Sequence, residues 1–132
     1  MALVFPDQGE NLVLEMLVNK TAAQNLVLKL YKSNTTPGES DTEATYTEAT
    51  FTGYSSVTLT GASWGAASGG SIAYAQQTFT SSANQTTENI YGYYIIQTTS
   101  GKLVYAERFT DGPYAITNNG DNIKITPTIT AS

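Results

Sequence analysis

Few side chains in this sequence are equipped for chemistry. The chain has no histidine and no cysteine, which removes the commonest general base, the commonest transition-metal ligand and every thiolate route. Carboxylates, hydroxyls, lysine and tyrosine remain. Paired carboxylates are the surviving route to general acid–base work, as in glycoside hydrolysis, where two acids flank the bond about 5–10 Å apart. Glu43 and Glu48 fall in one polar stretch and Glu88 in another, and such acids read as solvated surface charges. Glu107 and Arg108 are neighbours on one predicted strand and so lie on opposite faces. Glu107, between Tyr105 and Phe109, reads as a partly buried acid in an ion pair with a lysine or arginine. These residues specify no enzyme and call for no cofactor.

Oxygen ligands gather at Asn118, Asn119, Asp121 and Asn122 around Gly120. A calcium loop needs more widely spaced carboxylates and a terminal bidentate glutamate, whereas Asn-Gly is the favoured dipeptide of a tight hairpin turn. The turn is the expectation, and no metal site is assigned. The aromatic residues say more. Around position 93, one face of the predicted strand carries Tyr91, Tyr93 and Ile95 and the other Ile90, Tyr94 and Ile96. A strand at a wetted surface alternates with polar residues, so this one is covered on both sides. The cover is either a second layer of the same core or a neighbouring subunit, where Tyr and Arg are typical anchors. Trp64, before a small-residue run, is a core plug, a sugar-stacking platform or a contact with another chain.

The elements that must position these groups follow from periodicity. Asp7 precedes Glu10 by three positions, a helix-start pattern, and Leu12, Val13, Met16 and Leu17 recur at helical spacing. A strand through Leu12, Leu14 and Met16 is the competing reading. Residues 25–31 alternate as a strand. Residues 32–50 form a polar loop of unusual length, and such loops are usually functional or partner-bound. Strands are predicted over 54–60 and 72–80, with a polar loop over 81–89. A hairpin joins 90–97 to 102–109 through Thr98-Thr99-Ser100-Gly101. A last strand, 122–130, contains Pro127, which places it at an edge or a bulge. The expected fold class is mainly β, an antiparallel β-sandwich or jelly-roll-like domain with a short N-terminal helix. The chain reads as one domain, with residues 1–24 a helical segment at an interface and 25–132 the β-sandwich.

Composition sets the outer limits. At 132 residues a single core is the default. Charged residues are 13% of the chain, against 40% hydrophobic with nine Tyr, four Phe and one Trp; that is too apolar for disorder. Six basic and eleven acidic residues give a net charge of −5, the wrong sign for neutralising phosphates. No polybasic patch is present, and the longest apolar run, 11–18, is too short to span a bilayer and contains Glu15. Neither nucleic acid nor a membrane is an expected partner, and neither a signal peptide nor an anchor is expected.

Several segments read together carry a family likeness. They are Met1-Ala2-Leu3-Val4-Phe5-Pro6 with the leucine-rich stretch after it, Leu28-Lys29-Leu30-Tyr31 running into Asn34-Thr35-Thr36-Pro37, Phe51-Thr52-Gly53-Tyr54, and Trp64. Gln77-Thr78-Phe79, Ile90-Tyr91-Gly92-Tyr93-Tyr94 and Ala106-Glu107-Arg108-Phe109 complete the set. In these the chain resembles the small virion structural proteins of tailed phages, and within them the capsid decoration (cement) proteins of cyanophage-like viruses. The resemblance implies a bacteriophage protein made in the host bacterial cytoplasm and carried on the capsid surface. It implies binding to the major capsid protein at threefold or quasi-threefold positions, as a homotrimer that stabilises the shell, with no catalytic residues. The residues read as interface anchors are Leu12, Met16, Leu17, Trp64, Tyr91, Tyr93 and Arg108. The alternatives are a tail, baseplate or fibre-associated adaptor, and a carbohydrate-binding module that stacks sugar on Trp64 with Tyr91 or Tyr93.

Overall fold

In the computed structural model, which describes residues 4–131, the chain begins with a helix and continues as short antiparallel strands. Met1, Ala2 and Leu3 of the N-terminal motif and Ser132 lie outside the described residues. The elements are α1 (Asp7–Leu17), β1 (Leu26–Tyr31), β2 (Val57–Leu59), β3 (Ser71–Ala73), β4 (Gln77–Thr80), β5 (Glu88–Ile90), β6 (Gly92–Gln97), β7 (Leu103–Arg108), β8 (Tyr114–Ile116), β9 (Asn122–Ile125) and β10 (Thr128–Thr130). The chain is therefore mainly β and antiparallel with one short N-terminal helix, as the sequence predicts.

The helix forms where the spacing puts it, but by other end signals. Pro6 is the N-cap, with no side-chain cap, so the expected capping role of Asp7 is not met. Asp7 and Glu10 instead lie in the first turn, where negative charge opposes the helix dipole, and the free Asp7 N–H donates to Glu39 O at 2.8 Å. At the other end Asn19 adopts a left-handed φ of 60°. Its N–H reaches Met16 O and that of Lys20 reaches Glu15 O, the paired bonds of a Schellman stop.

Four strands form one sheet in the order β2-β1-β6-β7. Leu28 faces Ile95 and Leu30 faces Tyr93 across β1 and β6, while Ile95 faces Tyr105 across β6 and β7. This face packs against Phe79 of β4, Ile90 of β5, Ile116 of β8, and Ile123 and Ile125 of β9. These residues come from two-stranded pairs, β4-β9 and β5-β8, and β3-β10 is a third pair. The predicted hairpin is present, with Gly101 in a left-handed turn at φ 70°. Between Ile95 and Ile96 the β7 register shifts, leaving Val104 as the extra residue of a bulge. α1 closes over this bulge. Gly9 comes so near that a Cβ would sit 2.0 Å from Val104 O, and Gln8 Oε1 accepts the Leu103 N–H at 2.6 Å. With Val4 bridged to Ala106, the N-terminal segment covers the edge of its own sheet.

Three predicted strands are broken. The strand over 90–97 is interrupted at Tyr91, so Ile90 joins the main core with Tyr93 and Ile95 instead of sharing the face of Tyr94 and Ile96. The strand over 72–80 divides into β3 and β4, and that over 122–130 divides at Thr126-Pro127 into β9 and β10, whose partners differ. β8, unpredicted, lies between two turns. The Asn118–Asp121 turn is present, but it does not close a hairpin, because β8 pairs with β5 and β9 with β4.

The loop over 32–50 is not left for a partner: it packs on the second face of the sheet. Tyr46 stacks on Tyr94 at 5.0 Å and meets Tyr31 at 4.9 Å, in a second cluster with Ile96, Leu103 and Ala106. Both faces of β6 are thus covered within one chain, and the neighbouring subunit invoked as a cover is not needed there. Carboxylates staple this loop in place, so the expectation of freely solvated Glu43, Glu48 and Glu88 is corrected. Glu43 and Glu48 lie 2.9 and 3.5 Å from Lys29 Nζ. Glu88 accepts the N–H groups of Thr50 and Phe51 and the Thr50 hydroxyl, with Lys32 at 3.6 Å. Glu88→Ala removes all these acceptors at once and is expected to lower the unfolding free energy by about 2 kcal/mol. Urea denaturation measures it, and a loss below about 0.5 kcal/mol would reduce the staple to an ordinary surface contact.

Candidate interaction surface

The inward side of α1 is set by Gly9, Leu12 and Met16. Leu12 is 3% exposed in the core and Met16 packs beside it. The outward side is a different set: Val13 is 45% exposed, Leu14 61%, Leu17 78% and Val18 71%. These four form one stripe by i, i+4 spacing, and they are the exposed large hydrophobic residues of the described chain. Of the α1 residues expected at an interface, Leu17 belongs to the stripe, while Leu12 is consumed by the protein's own core. Val13, Leu14 and Val18 were missed, although Gly9 marks the packed side, three positions before Leu12 and seven before Met16.

The other anchors are engaged within the chain. Tyr93 is 5% exposed and packs edge-on to Tyr105, so it is closed to a partner. Arg108 lies over the Tyr91 ring at 5.1 Å and donates to Thr35 O and Asn34 Oδ1, tying the 32–50 loop to β7. Trp64 is half-buried and meets Tyr74 edge-on at 5.3 Å. The three rings therefore make no shared stacking platform. Glu107 lies beside Tyr93, and it is absent from the ion pairs of the described residues, which join Lys29 to Glu43 and Glu48 and Lys32 to Glu88. The predicted Glu107 ion pair is thus not formed.

Burial dominates the electrostatics. Tyr31 is pushed up to about 12, first by desolvation, against the nearby Arg108 charge, with Asp41 and Glu107 adding to the rise. Tyr46, Tyr54, Tyr93, Tyr94 and Tyr105 are raised by burial first, with Asp41 acting on Tyr46, Glu48 on Tyr54 and Glu107 on Tyr93. Burial pulls the Lys29 ammonium down, but Glu43 and Glu48 reverse this and leave it raised. Asp121, in the expected turn, accepts the N–H groups of Asn118 and Thr117, which hold its carboxyl below the usual range. Its oxygens serve the turn.

Asp7, Glu10 and Glu39 bring carboxylate oxygens within 4.8 Å of one another, all exposed to water. The concave regions are open grooves. One runs between α1 and the loop at Glu39–Thr42, with Lys102 at its rim. Another is lined by Phe5, Tyr93, Glu107 and the threonines around β10. No helix among the described residues is long and apolar enough to cross a membrane. The arrangement offers surfaces for association, with its deep aromatic groups committed to the core. No family model matches the chain, and no curated protein matches it.

Proposed function

We propose that the protein is a virion structural protein, a decoration protein that binds the outer surface of a phage head through the outward face of α1 and stabilises the assembled shell. The exposed stripe of Val13, Leu14, Leu17 and Val18 is the observation that carries this reading. Contiguous apolar side chains on an otherwise polar, acidic surface mark an association site, and α1 is anchored to β7 through Gly9 and Gln8 so that the stripe is presented on a fixed support. Binding to the assembled shell but not to its separated subunits stabilises the shell by mass action. Three copies at a threefold position, as the resemblance implies, would add multivalency.

A tail or baseplate adaptor would use the same stripe against a different protein, and copy number in the particle separates the two. The carbohydrate reading loses support because Tyr93 is buried and Tyr91 lies under Arg108. The test is co-sedimentation with capsids lacking the protein. Leu14→Glu with Leu17→Glu removes apolar burial of about 1.5–3 kcal/mol per side chain, so retention on capsids is expected to fall at least about tenfold while the thermal midpoint stays unchanged. Undiminished retention of this double variant would end the α1 reading; retention by tails but not heads would transfer it to the adaptor.

A further inference from the structure

Among the described residues β10 is hydrogen-bonded on one side only. Tyr74 N–H donates to Pro127 O, Ala131 N–H donates to Gly70 O, and Ile129 lies opposite Ile72 between them. Residues 127, 129 and 131 therefore turn their backbone groups toward β3. In an antiparallel ladder the alternate residues, Thr126, Thr128 and Thr130, turn theirs the other way. On that side the Thr128 hydroxyl donates to Thr126 O, and among the described residues the N–H groups of Thr128 and Thr130 meet no acceptor. Among the described residues this strand edge is unpaired.

The same three threonines border the groove that also holds Phe5, Tyr93 and the carboxylates of Glu10, Glu39 and Glu107. No lysine or arginine lines it, and none of the three acids belongs to an ion pair of the described residues. An open edge, the Phe5 ring and negative charge with no ion-pair partner among the described residues thus converge on one concavity. Backbone groups suit an added strand, and the carboxylates select for cationic side chains along it. A second copy of this acidic chain would bring like charges together, so the occupant is a different protein.

We propose that the groove receives an extended lysine- or arginine-bearing segment of a partner protein, which adds as a strand to β10 while its cationic side chains meet Glu10, Glu39 and Glu107. The contact goes beyond the shell reading, since it makes no use of the α1 stripe and holds for any partner with such a segment.

The test uses the full chain and a synthetic peptide of about ten residues in which lysine alternates with threonine and valine. Amide shifts at residues 126–130 and slowed hydrogen exchange at Thr128 and Thr130 are expected. Glu10→Gln with Glu107→Gln should weaken binding about fivefold or more, and salt should weaken it further. N-methylation of alternate peptide amides should abolish it. The proposal is overturned if no amide responds, if the N-methylated or glutamate-substituted peptide binds equally well, or if calcium chloride alone reproduces the response. The Leu14→Glu, Leu17→Glu variant should bind the peptide normally, so failure here and failure of the shell reading are distinguishable.

Discussion

Raised above pH 10, the protein unfolds in one cooperative step before its buried tyrosines can ionise in place. Tyr31, Tyr46, Tyr54, Tyr93, Tyr94 and Tyr105 all have phenols held up by burial, Tyr31 to about 12. In the unfolded chain each titrates near 10. Below that pH both states keep their protons and the stability is fully present. Above it the unfolded chain releases protons that the native state retains, so stability falls with rising pH. Each such group contributes about 1.4 kcal/mol per pH unit, and six together roughly 8 kcal/mol per unit. A domain stable by about 5–15 kcal/mol is exhausted within one or two units. Lys29, raised by Glu43 and Glu48, acts in the same direction.

Far-ultraviolet circular dichroism and phenolate absorbance of the buried set are therefore expected to change together. Stepwise ionisation of all six with the dichroism intact would show that these rings are not packed as described. Tyr105 supplies an internal control. Among the described residues its hydroxyl is buried with no hydrogen-bond partner, so Tyr105→Phe removes a desolvation cost and one titrating group while keeping the ring contacts to Phe5 and Tyr93. The alkaline midpoint of this variant is expected to move upward, whereas truncation to leucine should move it down.

The elements legible in the sequence were those whose pattern is local. α1 shows in the recurrence of Leu12, Val13, Met16 and Leu17, and the β6–β7 hairpin in two aromatic and aliphatic runs around Gly101. What escaped depends on distant partners. Tyr46 sits among Thr, Ser and Glu and looks like loop, yet its stacking partner Tyr94 is 48 positions away. Glu88 looks like a solvated acid until Thr50 and Phe51 arrive beside it. Short strands such as β8 and β10 hold too few residues to show a period, and their pairing is chosen in three dimensions. The candidate surface was half legible for the same reason. Leu12 and Leu17 are chemically alike, and only the docking of α1 on β7, with Gly9 against Val104, decides which is core and which faces water. Tyr93 was mistaken for an anchor because a two-sided apolar strand looks the same whether its cover is its own loop or another chain.

Gly92→Ala, a change of one methyl group, is expected to be the most damaging single substitution in the sheet. Gly92 lies between Tyr31 on β1 and Arg108 on β7. A Cβ there would sit 2.2 Å from Glu107 O and 2.6 Å from Tyr31 Oη. The carbonyl belongs to the backbone of the neighbouring strand and cannot step aside without breaking the ladder. The Tyr31 ring cannot leave cheaply either, because it crosses β6 over this glycine to donate to Thr35 O and to support Tyr46. Displacing it uncovers the second face of the sheet and frees the 32–50 loop. A loss of more than about 4 kcal/mol, the range reserved for such packing failures, is expected in chemical denaturation. The sign is informative, since alanine in a strand with room for it would stabilise by about 0.4–1 kcal/mol through the unfolded chain. Gly120→Ala, with a left-handed φ of 94° but no atom within 4 Å of its Cβ position, should cost only about 1–2 kcal/mol. Adding Tyr31→Ala to Gly92→Ala should bring no recovery, because the Glu107 carbonyl still blocks the site. A Gly92→Ala protein as stable as the parent would mean that β1, β6 and β7 do not meet in this register, and with it would fall the account of how one chain covers both faces of its central strand.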